Sequence, residues 1–345
     1  MNYYWLLFFD IKQARRPAVL RQLLANRQKS SALYFGLISG WLKYINLFNG
    51  LDEAKFDREI AALLQAGYLK EQRGGLVLTS AGQEVIEKHR LTLGLQKPEL
   101  FRVFSMQLVS ELILLAIQVA SEASYQNKRY YVVTSNLQSQ YLFKSWLAQN
   151  SLTILKDKLP FKLAAFLANE DPLQSEIFTQ KLVGHKLPGK TNEQLGQIYG
   201  KRPAEIELIW LDLLSRLAYF LLQGKDELAQ LIMTTKPVFE PVRASRFSTI
   251  NAFNAGQDIK TIAQNLRLKE NTILDHLYEG YIWHGQPDLL QLLSQDEIAF
   301  LEATASKAGP QETWAYQELV AKRPQLAFYK FRIFEIARGR KLWEN

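Results

Sequence analysis

Cysteine is absent from all 345 positions. That removes disulfides, thiolate metal sites and cysteine nucleophiles together, and it suits a reducing compartment. Histidine is scarce, with only four residues. His89 and His185 are isolated, His284 follows Trp283, and none belongs to a His-Glu-x-x-His pattern. Without that pattern, a Gly-x-Ser-x-Gly elbow or a recognisable carboxylate pair, the sequence offers no catalytic residue, metal site or cofactor. Long uncharged apolar runs are also missing. The apolar start, Tyr3 to Phe9, is too short for a bilayer and lacks the basic lead-in and small-residue cleavage site of a secretory signal. A buried first strand or helix is expected there, in a soluble, cytoplasmic protein without membrane contact.

The composition is that of a folded protein, with 48% apolar and 22% charged residues. The length allows two or three cores. Net charge is +8, which favours an anionic partner, nucleic acid foremost. The excess sits at both ends. Lys12, Arg15, Arg16, Arg21, Arg27, Lys29 and Lys43 stand against Asp10 alone in the first fifty residues. Lys322, Arg323, Lys330, Arg332, Arg338, Arg340 and Lys341 stand against Glu335 and Glu344 near the other end.

Residues 1–95 read as a winged-helix-like unit. An amphipathic helix capped by Asp52 ends at Gly67, a hairpin turns at Arg73-Gly74-Gly75, and a second helix opens at Thr79-Ser80. Lys70 and Arg73 would lie on the wing and touch phosphates. Residues 96–235 read as mostly helix. Phe101 to Ala123 is apolar nearly all round, so it is expected to be a buried central helix. Tyr130 to Thr134 could be a lone strand, and Trp210 to Leu222 is a second apolar helix. Leu195-Gly196, Gly200 and Ile206 have helix-turn-helix spacing, best read as a packing piece. Two prolines mark residues 236–245 as a linker. Residues 246–345 follow as a helical domain, with a helix from Ser245 to Phe253, further helices over Leu289 to Ala305 and from about Trp314, and a final helix led by Pro324.

Asp258 to His276 carries the strongest pattern. Ala263 falls where two helices cross closely, and Ile262, Leu266, Leu268, Ile273 and His276 fall on the side facing the small core between them. The turn spans Leu266 to Lys269 and places Arg267 where glycine is usual, with Asn271-Thr272 opening the second helix. His276 is expected to be a packing histidine. The fold class is therefore mainly α: multi-helical, with a winged-helix-like N-terminal unit containing a small β-hairpin and a C-terminal helix-turn-helix domain.

One spelling competes with this reading. Gly184-His-Lys-Leu-Pro-Gly-Lys-Thr191 satisfies the phosphate-loop pattern, in which backbone N–H groups wrap phosphates, the lysine neutralises them and the hydroxyl meets magnesium. Such a loop must follow a buried parallel strand. Leu173 to Val183 patterns as a helix instead, and Leu208 to Asp212 lies inside another.

The block from Ser248 to Leu277, with its Asn-Thr-Ile-x-Asp-His-Leu core, followed by the Phe-Tyr-x-Phe-Arg element at Phe328–Arg332, resembles the helix-turn-helix domain at the C-terminus of bacterial RecQ-type helicases. The chain as a whole is similar to the YpbB group of Firmicutes, stand-alone proteins carrying that domain. The resemblance implies a non-catalytic accessory protein that binds DNA, a RecQ-type helicase, or both, in repair or recombination. Lys269, Asn271, Thr272 and Asp275 would line the exposed face of the second helix, and Arg332, Arg338, Arg340 and Lys341 would touch phosphates. Glu270, Asp275 and Glu279 against Lys269 make that helix acidic, which equally suits docking on a basic helicase surface. The competing functions are a transcription regulator reading an operator through the same motif, and a nucleotidase using Gly184 to Thr191. Oligomeric state leaves no mark in the sequence.

Overall fold

The computed structural model describes residues 2–48, 50–236, 244–305 and 316–344. The apolar start forms a tight 3-10 helix, Tyr3–Phe8, rather than a strand, with Asn2 accepting the Tyr4 N–H and Trp5, Leu6 and Phe8 buried. Helix α1 (Pro17–Leu24) opens on a proline whose fixed φ suits a first turn. Helix α2 (Ser30–Ile38) follows, buried on several sides. Helix α3 (Glu53–Gln65) is capped by the Asp52 carboxylate on the Lys55 N–H and buries Phe56, Ile60 and Leu63 at helical spacing. The expected hairpin forms from β1 (Leu69–Gln72) and β2 (Gly75–Leu78), paired Leu69 to Leu78 and Gln72 to Gly75. Thr79 then caps α4 (Ser80–Lys88) through the Gly82 N–H.

Arg15 extends this hairpin sideways. Its backbone exchanges two hydrogen bonds with Leu76, at 2.7 and 2.8 Å. The approach is so close that a Cβ on Gly75 would lie 2.2 Å from the Arg15 carbonyl oxygen, so only glycine fits there.

The middle region is helical. A short α5 (Leu100–Val103) leads into α6 (Met106–Ser124), the expected central helix, with Val109, Leu112, Ile113 and Ala116 buried. By length and composition alone α6 could cross a membrane. In this fold it packs against α7 (Leu137–Gln149) and α11 (Pro203–Gln223), and its Glu111 takes hydrogen bonds from Asn136 and Ser139. The strand considered at Tyr130 to Thr134 does not form. The Gln118 amide satisfies that backbone instead, donating to the Tyr131 carbonyl at 2.9 Å and accepting the Val133 N–H at 2.9 Å. With two backbone groups bonded to a side chain, no partner strand is required. A π-helical turn at Ile154–Lys158 runs into α8 (Leu159–Leu167), then α9 (Pro172–Lys181) and α10 (Asn192–Tyr199). Gly200 makes a left-handed turn into α11, so the spacing at Leu195 to Ile206 is a true helix-turn-helix geometry, its small core formed by Ile177, Leu195 and Ile206. Helix α12 (Glu227–Met233) closes the region.

The expected linker at 236–245 lies mostly outside the described residues. Beyond it come α13 (Ala244–Asn254), α14 (Ile259–Leu266) and α15 (Glu270–His284), then a 3-10 turn at Leu290–Leu292, α16 (Gln295–Ala305), α17 (Tyr316–Lys322) and α18 (Phe328–Glu344). Leu289 to Ala305 is thus two elements rather than one, because Ser294 caps α16 on the Glu297 N–H. The expected helix start near Trp314 lies outside the described residues. Pro324 does not lead α18. It sits in the turn between α17 and α18, where the Leu326 N–H bonds the Arg323 carbonyl. One apolar cluster runs from Trp5 through Phe101, Leu112 and Leu214 to Ile273, Phe331 and Ile336. Helix α2 therefore packs against α15 and α18, far along the chain.

Candidate nucleic-acid interface

Asp258 opens the helix-turn-helix. Its carboxylate accepts both the Thr261 N–H (2.9 Å) and the Thr261 hydroxyl (2.7 Å), fixing the first turn of α14. Ile262 and Ala263 are buried against Ile273 and Leu277 of α15. Between the helices Arg267 adopts a left-handed conformation, φ 53° and ψ 42°. The geometry that usually recruits glycine is thus imposed on an arginine. The Leu268 N–H bonds the Ala263 carbonyl at 2.9 Å, which locks the turn. Helix α15 begins at Glu270 with Lys269 as its cap residue, and Lys269 makes no side-chain cap bond.

His276 is half-buried and its Nδ1 meets the Thr249 hydroxyl at 2.9 Å. Burial, then the Arg246 charge, push its pKa below the ordinary value. It is a packing histidine with a partner.

The first part of α15 is open, and beyond it only the last residue, His284, is exposed. Lys269, Glu270, Asn271 and Asp275 are exposed and Thr272 is half-buried, alongside exposed Gln264 and Asn265 of α14 and Arg267 of the turn; Leu268, expected on the core side, is exposed in the turn as well. From Leu277 to Trp283 every residue is buried, Glu279 included, and Arg246 of α13 pairs with that carboxylate. Helix-turn-helix proteins contact base edges with the N-terminal residues of the second helix, and that is the end left open here. The open end carries Arg267 and Lys269 against Glu270 and Asp275, so it has no net charge of its own.

The cations of α18 do not form one face. At about 100° per residue, positions 332, 338, 340 and 341 point in four directions. Arg332 lies over the Tyr34 ring at 3.7 Å and near Phe328 at 5.0 Å, and burial lowers its pKa. Tyr34 also donates its hydroxyl to the buried Glu335 carboxylate. Arg340 donates to the Tyr281 and Ile282 carbonyls, each at 2.8 Å, closing the C-terminal turn of α15. Gly285, with φ 67°, gives the guanidinium room, since a Cβ there would lie 2.7 Å from it. Arg338 is half-buried and Lys341 exposed.

On the hairpin, Lys70 is exposed on β1, and Arg73 at the turn donates to Gln317 of α17 at 3.1 Å. Arg73 also borders a cleft of about 350 Å³ with Lys12, Arg15 and Arg16. The basic count of the first fifty residues includes those three. Their meeting with Arg73 follows from the Arg15–Leu76 pairing, which no local pattern announces.

The phosphate-loop spelling has a different geometry. Gly184 and Leu187 exchange backbone bonds at 2.9 and 3.0 Å, the His185 N–H donates to Ser121 at 2.9 Å, and the Lys190 N–H donates to the Gln180 carbonyl at 2.8 Å. Thr191 caps α10 in a reciprocal box with Gln194. The N–H groups of Gly184, His185, Leu187, Lys190 and Thr191 are engaged within the protein, the preceding element is helix α9, and the Thr191 hydroxyl is a helix cap. Among the described residues no three His, Asp or Glu side chains gather as a metal site.

Residues 245–342 match the model of a protein family described as a helix-turn-helix domain. Sequence match and geometry together establish a C-terminal domain of that kind, and such a domain suggests a DNA-binding role. Comparison with curated proteins and with solved structures gives no match.

Proposed function

We propose that the protein is a non-catalytic accessory factor that binds DNA and works beside a RecQ-type helicase in repair or recombination, in the cytoplasm. The observation that carries the DNA part is the helix-turn-helix whose second helix leaves its N-terminal end open, at Lys269, Asn271, Thr272 and Asp275. Its electrically balanced tip favours contact without strong sequence preference, with affinity supplied by cations elsewhere, among them Lys70 and Arg73 of the hairpin acting as a wing, and Arg338 and Lys341. The helicase partner rests on the sequence resemblance, and the acidic Glu270 and Asp275 give such a partner's basic surface something to meet. In this reading residues 1–95, 96–235 and 246–345 are three units joined by one core.

Fluorescence anisotropy with labelled single-stranded, duplex and forked DNA across a salt series tests the DNA part. The expected result is micromolar binding, with log affinity falling linearly in log salt by about 0.9 per phosphate neutralised on duplex DNA, similar on unrelated sequences and indifferent to magnesium-ATP. Strong preference for one duplex sequence would favour a transcription regulator, and no binding at low salt would remove the DNA reading. Stimulation of a purified RecQ-type helicase by the protein, lost in Glu270→Lys/Asp275→Lys, tests the partner.

A further inference from the structure

The cleft bordered by Arg15 is built for an anion, and the helix-turn-helix does not account for it. It lies between the first turn of α1 (Arg16, Val19), the hairpin turn (Gln72, Arg73, Gly74) and one side of α2 (Phe35, Ile38, Ser39). Four cationic residues border it, Lys12, Arg15, Arg16 and Arg73, and no acidic residue does. None of the four is in an ion pair among the described residues.

Arg15 makes the case. The residue is only 6% exposed, and its guanidinium donates to a neutral group, the Ser39 hydroxyl, at 2.9 Å. Burying a cation without a countercharge is unfavourable, and burial accordingly lowers its pKa, with Asp10 opposing. Asp10 is turned to other work. Its carboxylate accepts the Lys12 and Gln13 N–H groups at 2.7 and 2.8 Å and does not border the cleft. The Gln13 Oε1 is buried without a partner. Arg16 holds the wall in place, donating to the Gly74 carbonyl at 3.2 Å and lying over Phe35 at 4.2 Å. Phe35 is flanked again by Arg332 at 5.9 Å, so the α18 cation placed on Tyr34 adds positive potential behind the wall.

We propose that this cleft binds a phosphoryl group of a nucleic-acid strand, with Arg15 at its floor and Lys12, Arg16 and Arg73 at its rim. Guanidinium forks match phosphate oxygens in geometry and charge, and the volume admits a phosphate with part of its nucleotide. The half-buried Phe35 ring gives the attached sugar or base an apolar wall. The site rests on the DNA-binding reading for its ligand, but not on the helix-turn-helix for its contacts.

Isothermal titration calorimetry at low salt tests it, using a short single-stranded oligonucleotide with and without a 5′-phosphate, a nucleoside monophosphate, and inorganic phosphate as competitor. Wild-type protein should bind the oligonucleotide, and millimolar phosphate should compete. Arg15→Met should weaken binding at least about tenfold, and the exposed double variant Lys12→Ala/Arg73→Ala by a similar factor, since each lost phosphate contact removes a charge-assisted bond. Equal binding with and without the 5′-phosphate assigns the cleft to the internal backbone. A requirement for the 5′-phosphate assigns it to a strand end, and equal binding of the free monophosphate to a mononucleotide. The double variant changes only exposed side chains, so it decides the matter even if Arg15→Met fails to fold. Wild-type affinity in that double variant would overturn the proposal. Lys269→Ala/Asn271→Ala keeps the two readings apart, because it should weaken duplex binding while leaving the titration with phosphate unchanged. Unaltered duplex binding in that variant would count against the helix-turn-helix reading and leave the cleft standing.

Discussion

Arg340→Met asks whether the basic end of the chain is first of all a structural cap. In the fold, the Arg340 guanidinium donates two bonds of 2.8 Å to the Tyr281 and Ile282 carbonyls at the end of α15; the Tyr281 carbonyl also accepts the Gly285 N–H at 3.0 Å, so the arginine supplements one backbone bond and caps the Ile282 carbonyl. Hydrogen bonds to a charged group contribute about 1.5–3 kcal/mol each. The side chain is half-buried, so water recovers part of that in the variant, and a loss of roughly 2–3 kcal/mol for the pair is expected. The melting shift depends on what unfolds. At about 2.1 cal/mol/K per residue, cooperative unfolding of all 345 residues gives a drop of about 3–4 °C, whereas independent melting of residues 245–342 gives about 10–15 °C. Differential scanning calorimetry reads both the shift and the number of transitions. The continuous core predicts the smaller shift in a single transition. Arg340→Lys should lose about half as much, because an ammonium keeps the charge and lacks the fork. A melting temperature within about 1 °C of wild type for Arg340→Met would refute the cap.

Three further outcomes are expected. Arg267→Gly should stabilise the protein by about 0.5–1 kcal/mol in chemical denaturation, because the left-handed turn (φ 53°) strains an L-residue more than glycine's extra unfolded-state entropy offsets; a destabilised variant would show that the Arg267 side chain does more than occupy the turn. Gly75→Ala should destabilise by about 1–3 kcal/mol, since the new Cβ meets the Arg15 carbonyl oxygen at 2.2 Å; denaturation at wild-type midpoint would mean the Arg15–Leu76 pairing is dispensable. Stability should fall as pH drops from about 7.5 to 5.5. His276 and His284 both have folded pKa values lowered by burial and then by nearby arginines, so the unfolded chain binds more protons there, and the stability they confer is present above the unfolded pKa and lost as pH falls through it. His276→Gln should flatten that slope, and an unchanged slope by urea titration would exclude His276 as a contributor.

Much of the fold was legible because its signals are local. Asp52 and Asp258 cap helices because a carboxylate one turn ahead reaches free N–H groups. The hairpin turns at Arg73-Gly74 because glycine admits that backbone, and Ile262, Ala263, Ile273 and Leu277 are buried because helical periodicity puts them on one side. The misread segments were those where a hydrogen bond outside the expected element satisfied the backbone. Gln118 satisfies the backbone at Tyr131 and Val133 that would otherwise have sought a partner strand, and the turn bond from Leu326 to Arg323 holds Pro324 outside α18. The phosphate-loop spelling illustrates the converse. Its letters are right, yet Ser121, Gln180 and Gln194 take up its backbone donors and threonine hydroxyl.

The sequence by itself determined the helical content, the hairpin, the helix-turn-helix and the positive charge at both ends, because propensity, capping and periodicity act over a few residues. Only the tertiary structure decided what that charge does. Cations on the one helix α18 diverge in space, Arg332 stacking on Tyr34 and Arg340 capping α15, while Arg15 and Arg73, 58 positions apart in the chain, meet across a single backbone pairing. Side-chain partners depend on distances between elements, and those are fixed when the apolar faces of α2, α15 and α18 close on one another.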